Sequence, residues 1–334
     1  MNIREIARRA RVSHSTVSRV INQVESVDPK LVRRVQAIIQ EVGYRPNYQA
    51  RALARGRSHT VGLIVSELTG GNPFFSEVIL YFERAAVEQG YEVLVSFADT
   101  ETRPDHIAVC AERMQERQVE GIAALTFGME EQLANSATEV PMVYAGADHD
   151  LRRVRNVRIN YLPGFKDGIK HLADFGHQRI GYLSGRMGWS SMRNRLEGFR
   201  KAMKLSGVVF DKELVAECDH TWDGGAQGMG YLLSLPKPPT AVLCCNDVAA
   251  VGALKTLAAR GLQAGKDIAL IGFDDLTICR FTQPPLTTIE FSPRELASLA
   301  FRALIEEIQH TPKKTNFEYK TRFVLRESTC APRA

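Results

Sequence analysis

The sequence predicts an N-terminal all-α helix-turn-helix head with a short hinge helix, followed by an α/β body of two doubly wound parallel-sheet lobes. Three observations predict it. Charge is unevenly spread: residues 1–57 carry twelve Lys/Arg and four Asp/Glu, whereas the rest of the 334-residue chain carries 31 and 34. The head has apolar stripes at helical spacing. After residue 58, short apolar runs alternate with helical patterns, the rhythm of βαβ units. The expected boundaries are a head over 1–46, a hinge over 47–58 and a body over 59–330. Within the body, lobe one covers about 59–160 plus 290–326 and lobe two about 161–289.

In the head, Ile3, Ile6, Ala7 and Ala10 form the stripe of a first helix. Ser13 can cap a second helix whose inner face is Val17, Val20 and Ile21. Its opposite face is His14, Ser15, Ser18, Arg19 and Asn22, every member able to hydrogen-bond. About three residues separate the two helices, which forces a sharp crossing. Asp28 and Pro29 open a third helix with the stripe Val32, Val35, Ile38, Ile39 and Val42, and Gly43 stops it.

A net +8 head on a near-neutral body points to a polyanion as the head's partner. In helix-turn-helix geometry the second helix enters the major groove by its N-terminal residues. His14, Ser15 and Arg19 then face base edges, and Arg19 suits guanine O6 and N7. Ser13, Thr16 and Asn22 suit phosphates. The segment Pro46–Arg57 forms a helix of about eight residues at most, marginal alone in water. Leu53, flanked by arginines, suits a minor-groove wedge.

Ile3-Arg4-Glu5-Ile6-Ala7, Val12 to Asn22, Gly43-Tyr44-Arg45-Pro46-Asn47 and Ala50-Arg51-Ala52-Leu53 resemble the head and hinge of the lactose/galactose repressor (LacI/GalR) family. The resemblance covers essentially the whole chain. It implies base reading by His14, Ser15 and Arg19, a wedge at Leu53, and a body like periplasmic sugar-binding proteins. Arg11 departs from the pattern, standing at a turn position where the family often has Gly or Asn; a positive φ there carries mild strain.

In the body, strands are expected at Val61–Val65, Val93–Phe97, Gly121–Leu125, Met142–Ala145, Ile180–Leu183, Ala241–Cys244 and Ala269–Phe273. Helices are expected near 74–89, 104–117, 164–175, 190–206, 224–234 and 247–260. Pro284–Ile289 reads as a crossing back, after which helix 293–309 and strand 320–326 rejoin lobe one. Ligands of open parallel sheets sit at the carboxyl ends of strands. The sequence puts Asn72 and Phe74, Trp189, Arg193 and Arg195, His220 and Trp222, Asn246 and Asp247, and Asp274 and Asp275 there. Polar forks with Phe74, Trp189 and Trp222 suit a hydroxyl-rich ring. The resemblance implies effector contacts from Arg195, Asn246, Asp274, Asn72 and Phe74, and an aromatic wall from Trp222 or His220. Asp247 can instead cap the helix 247–260.

Little in the chain speaks for catalysis. Gly261 to Asp267 approaches a phosphate loop but is one residue short and ends in Asp. There is no Gly-x-Ser-x-Gly and no His-Glu-x-x-His. The six cysteines show no metal spacing and read as reduced thiols. No apolar stretch reaches 18 residues and the start is charged, so a cytoplasmic protein without membrane contact is expected. The expected function is a ligand-responsive transcriptional regulator, a repressor binding a double-stranded, pseudo-palindromic operator as a homodimer, with dimer contacts from lobe one including helix 74–89. The effector is expected to be a sugar or derivative, with a purine or nucleoside as the second choice. No cofactor, metal or enzymatic activity is expected; a solute-binding protein or a sugar-handling enzyme are the competing classes.

Overall fold

The computed structural model describes residues 3–21, 27–44, 57–66, 72–99, 103, 105–126, 133, 138–146, 154–310 and 317–332. The chain forms two compact units, Met1–His59 and Thr60–Ala334.

The head unit holds α1 (Ile3–Ala10), α2 (His14–Ile21) and α3 (Pro29–Glu41). Ile6, Ala7, Ala10, Val17, Val20 and Val35 are buried, and Ile38, Ile39 and Val42 pack on them, so the expected stripes make one core. Ser13 Oγ accepts the Thr16 N–H at 3.0 Å and starts α2. Asp28 accepts the Lys30 N–H at 2.7 Å ahead of Pro29 and starts α3. Arg11 has φ 49°, in the left-handed region, so this turn carries the mild strain of a non-glycine residue there.

The body carries two sheets of six strands among the described residues. In lobe one, β1 (Thr60–Ser66), β2 (Glu92–Ala98), β3 (Ile122–Leu125), β4 (Met142–Ala145), β5 (Val154–Asn160) and β11 (Glu318–Lys320) lie in the order β2-β1-β3-β4-β5-β11, all parallel. In lobe two, β6 (Ile180–Ser184), β7 (Val215–Glu217), β8 (Ala241–Cys244), β9 (Ala269–Asp274), β10 (Thr287–Glu290) and β12 (Arg322–Val324) lie in the order β7-β6-β8-β9-β10-β12. Only β12 there is antiparallel to its neighbour. The helices are α4 (Pro73–Glu88), α5 (His106–Glu116), α6 (Leu162–Asp174), α7 (Ser190–Leu205), α8 (Trp222–Ser234), α9 (Asp247–Ala259) and α10 (Pro293–Ile308). Helix α10 returns to lobe one, where Phe301 meets Phe82 edge-on at 5.5 Å.

Three differences from the sequence reading have physical causes. Strand β5 was hidden by its charges. Arg155 lies in it, yet its guanidinium pairs with Glu306 and Glu307 of α10 at 3.0 and 2.9 Å and covers the Phe317 ring, so a polar strand packs as an apolar one. Helix α8 begins at Trp222 rather than 224, because Thr221 Oγ1 caps the Gly224 N–H at 3.0 Å. The expected single strand 320–326 is divided. Tyr319 pairs with Ile159 in lobe one, and Phe323 pairs with Ile289 in lobe two.

The chain therefore crosses between lobes three times, near Tyr161, Phe291 and Thr321, and the crossings are tied together. The Thr321 hydroxyl accepts from the Gly164 N–H at 3.2 Å, and its proton reaches the carbonyls of Tyr161 (3.0 Å) and Asn160 (3.2 Å). The Ser292 N–H donates to Tyr319 Oη at 2.7 Å. A Cβ at Gly164 would meet Ile289 Cγ2 at 2.4 Å, so the first crossing lies flush on β10.

Thr321→Val keeps the shape but strands the Gly164 N–H in a buried site. It is expected to cost about 1–3 kcal/mol in urea unfolding; an unchanged midpoint would mean that ring packing alone ties the crossings.

Candidate functional site

Two surfaces answer the sequence expectations. In the head, α2 buries Val17 and Val20 and exposes His14, Ser15 and Arg19. Ser13 is committed as the cap, and its hydroxyl also meets Ser15 Oγ at 2.7 Å and Thr16 Oγ1 at 2.8 Å. The three hydroxyls thus form one short network at the helix start. Asn22 and Leu53 lie outside the described residues, as does most of the hinge segment.

In the body, the carboxyl ends of β6 to β9 converge on Arg195. This residue is only 2% exposed. Its Nη1 donates to the Cys245 carbonyl at 2.6 Å, and Nη2 stands 3.8 Å from Asp274 Oδ1. The guanidinium lies over Phe273 at 4.1 Å and over Tyr161 and Phe291 at 5.5 Å each. Tyr161 and Phe291 are residues of two of the three crossings, so the arginine is seated in the hinge itself. Burial pushes the Asp274 carboxyl well above the usual range; Arg195 opposes this, while Asp247 and Glu77 add to it.

Asp274, Asp275 and His220 have φ of 118°, 58° and 66°. Such strained residues gather where a structure holds side chains for a task. His220 is buried, stacks on Trp189 at 4.9 Å and places Nε2 2.9 Å from Met192 Sδ. Gly185 makes room for it: a Cβ there would stand 2.0 Å from the imidazole. Burial first, then Arg195, lowers the His220 pKa to about 3, so the ring is neutral at pH 7.

The expected ligand residues divide. Phe74 is buried and stacks on Phe291 at 5.1 Å, and Asn72 caps α4 through the Phe74 N–H at 3.0 Å. Asn246 caps α9 by accepting from the Ala249 N–H at 2.7 Å and donates to the His220 carbonyl at 3.1 Å. Capping therefore falls to Asn246 and not to Asp247, and only one amide hydrogen of Asn246 remains for a ligand. Asp247 instead accepts from the Leu276 N–H at 2.8 Å and the Thr288 hydroxyl at 2.7 Å. Trp189 belongs to the cluster through His220. Trp222, at the start of α8, is 36% exposed, while Trp189 and His220 form a stack with ring centroids 4.9 Å apart.

Sequence reading missed Thr126 and Ser191. Both face an interlobe cavity lined also by Phe74, Tyr161 and Phe291, of about 20 Å³, room for one water. Among the described residues, the buried hydroxyls of Thr126 and Ser191 and the Nε of Arg195 make no hydrogen bond. Ser191 stands one helical turn before Arg195, a spacing that could have found it. Thr126 directly follows β3, where the strand-end rule applies. The described residues hold no cluster of three or more His, Cys, Asp or Glu able to bind a metal, and no helix among them is long and apolar enough to cross a membrane.

Known proteins match along the whole chain. Residues 2–47 match the family described as bacterial regulatory proteins, lacI family, and residues 169–329 match the periplasmic binding protein-like domain. The ribose operon repressor of Escherichia coli K12 is 35% identical over 312 residues, 92% of each chain. The HTH-type transcriptional repressor CytR of the same strain is 31% identical over 309 residues, 92% of this chain and 89% of that one. The structure of the lac repressor dimer bound to operator and the anti-inducer ONPF superposes with a TM-score of 0.90 at 27% identity, covering 99% of both chains.

His220 gives the site a pH signature. Its pKa falls from 6.5 to about 3 on folding, so the unfolded chain binds the extra proton between those values. Its contribution is present in full above pH 6.5 and is lost as pH falls towards 3. His171 and His177 shift in the same direction through burial. His220→Asn, which suits the positive φ, should flatten thermal stability against pH between about 6.5 and 4; an unaltered slope would assign the acid sensitivity elsewhere.

Proposed function

The chain belongs to the lacI family of bacterial regulatory proteins, and on that premise we propose that it is a homodimeric repressor whose grip on a pseudo-palindromic operator is set by a small effector between its lobes. The observation that carries the DNA half is α2 itself, buried by Val17 and Val20 and exposed by His14, Ser15 and Arg19. Two such helices read two half-sites of duplex DNA. His14, Ser15 and Arg19 meet bases, Ser13, Thr16 and Asn22 meet phosphates, and Leu53 wedges the minor groove.

Arg195 and Asp274 are the effector's polar anchors, with Thr126 from lobe one and Ser191 from lobe two supplying hydroxyls across the cleft. Asn72 and Phe74, Trp189 and Asn246 stand around them, and Trp222 lies at the rim. Paired hydrogen-bond groups and ring faces suit a hydroxyl-rich ring of sugar type, in keeping with the ribose operon repressor among the relatives. The parallel stack of Phe74 on Phe291 favours a second reading, a purine or nucleoside. Leu80 and Val87 are exposed on α4, and Phe97 on the edge strand β2, which supports lobe one as a dimer surface. The relatives are repressors, and a site of hydrogen-bonding groups and ring faces supports binding rather than turnover. The protein's place is the cytoplasm, beside DNA.

Selection from a random duplex library should return a two-fold symmetric site, with affinity falling by about 0.9 log unit per decade of salt for each phosphate neutralised. Arg19→Ala should weaken that site by about 1–3 kcal/mol and relax one position per half-site; an unchanged preference would remove Arg19 from the bases. A thermal-shift screen of sugars, phosphorylated sugars and nucleosides identifies the effector class. Arg195→Ala should abolish the shift while sparing duplex binding, and a normal isotherm in that variant would place the ligand elsewhere.

A further inference from the structure

Two thiols meet behind the cleft. Cys218 follows β7 and Cys245 follows β8, the strands on either side of β6. The Cys218 N–H donates to the Ser184 carbonyl at 2.8 Å and the Cys245 N–H to the Leu183 carbonyl at 2.7 Å. Both side chains are thus carried over the end of β6, where their Sγ atoms stand 3.9 Å apart in a hydrogen bond. Cys245 is fully buried and Cys218 is 8% exposed, and both are free thiols. Either thiol can donate in this bond, which lowers the Cys218 pKa against the effect of burial and, together with burial, pushes Cys245 well up. Two free thiols in contact, of which Cys218 alone retains some exposure, can act as an attacking and a resolving sulfur.

We propose that Cys218 and Cys245 are an oxidisable dithiol that a hydroperoxide closes into a disulfide, repositioning Arg195. The Cys218 thiolate attacks the peroxide, the O–O bond breaks, and a sulfenic acid forms as hydroxide leaves and is protonated to water. The Cys245 sulfur then attacks the Cys218 sulfur; the S–S bond forms, the S–O bond breaks, and the Cys245 proton leaves with that oxygen as water. Two electrons pass from the thiols to the peroxide, so hydrogen peroxide yields one disulfide and two waters.

The consequence follows from what holds Cys245. A disulfide needs its sulfurs at about 2.05 Å, far inside the present 3.9 Å. Cys245 cannot approach by itself, because its carbonyl holds Arg195 at 2.6 Å and the next residue caps α9 and bonds the His220 carbonyl. On the other side, Cys218 stands two residues before His220, which stacks on Trp189. Closing the bond therefore moves the Arg195 end of the cleft and one of the chain's two tryptophans. The meaning of that movement for an effector rests on the proposed function; the thiol chemistry does not.

The test treats the full-length protein with hydrogen peroxide, blocks remaining thiols with N-ethylmaleimide and maps the cysteines by mass spectrometry after cleavage between 218 and 245. Expected are two fewer alkylated thiols, a Cys218–Cys245 link about 2 Da lighter than the paired thiols, reversal by dithiothreitol, and altered tryptophan emission. Cys245→Ser should leave a sulfenic acid on Cys218 that dimedone traps, whereas Cys330→Ser should still form the bond. Peroxide that leaves both thiols alkylatable, or joins a different pair first, overturns the dithiol. A bond that forms with unchanged emission overturns its coupling to the cleft. Duplex binding by the reduced protein is scored separately, so loss of the regulator reading would leave either result intact.

Discussion

The three crossings between the lobes are the constraint on which the body depends. Each crossing takes backbone out of one sheet before it enters the next, and its polar groups still need partners in a buried place. Thr321 meets that need at the narrowest point, bonding Gly164, Asn160 and Tyr161 from a single hydroxyl. Phe291 fills the space between, touching Phe74, Tyr161, Phe273 and Tyr319. Three strands bound this closely leave the lobes one easy motion, a change of angle about the crossings. Because Tyr161 and Phe291 also flank Arg195, this buried arginine and the hinge share the same side chains.

Arg195 is a buried cation without a close salt bridge, and this decides what the site can do. A guanidinium out of water is costly unless its surroundings replace hydration. Here the Cys245 carbonyl takes one N–H and three ring faces supply the rest, with Phe273 nearest. Asp274 at 3.8 Å is too far for a strong hydrogen bond, and burial drives it towards its neutral form. The Arg195 N–H groups donate and the Asp274 oxygens accept, so the Arg195–Asp274 pair presents a mixed hydrogen-bonding edge. Such an edge fits a group that itself both donates and accepts, as a sugar hydroxyl does.

Much of this was legible in the chain. Helical stripes gave the head because each apolar residue there has one core to face, and strand-end loops gave Phe74, Trp189, Arg195 and Asp274 because parallel sheets leave only those ends open. What stayed hidden depends on partners distant in sequence. Arg155 reads as a surface residue until Glu306 and Glu307 come beside it. Thr321 reads as mid-strand until the carbonyl of Tyr161 meets its hydroxyl. Asn246 has the chemistry of a ligand residue and of a cap, and only the Ala249 and His220 bonds show how much of it the fold already uses. Thr126 and Ser191 are ordinary residues made notable by a shared cavity.

Head and body are separate compact units, and in the proposed mechanism the segment between them carries the signal. An effector shifts duplex affinity by no more than its own preference for one lobe angle over another, and such couplings run to about 1–3 kcal/mol. That scale is modest beside the cohesion of either unit, but it matches the short, marginal helix that the sequence predicts between them. A device of this kind gains from an anchor that is buried before the ligand arrives. In the proposed mechanism a ligand that accepts from the Arg195 Nε, which makes no hydrogen bond among the described residues, gains a contact whose position is set by the crossing residues Tyr161 and Phe291. Part of its binding energy then depends on the hinge geometry, and this dependence is what allows occupancy to be felt outside the cleft.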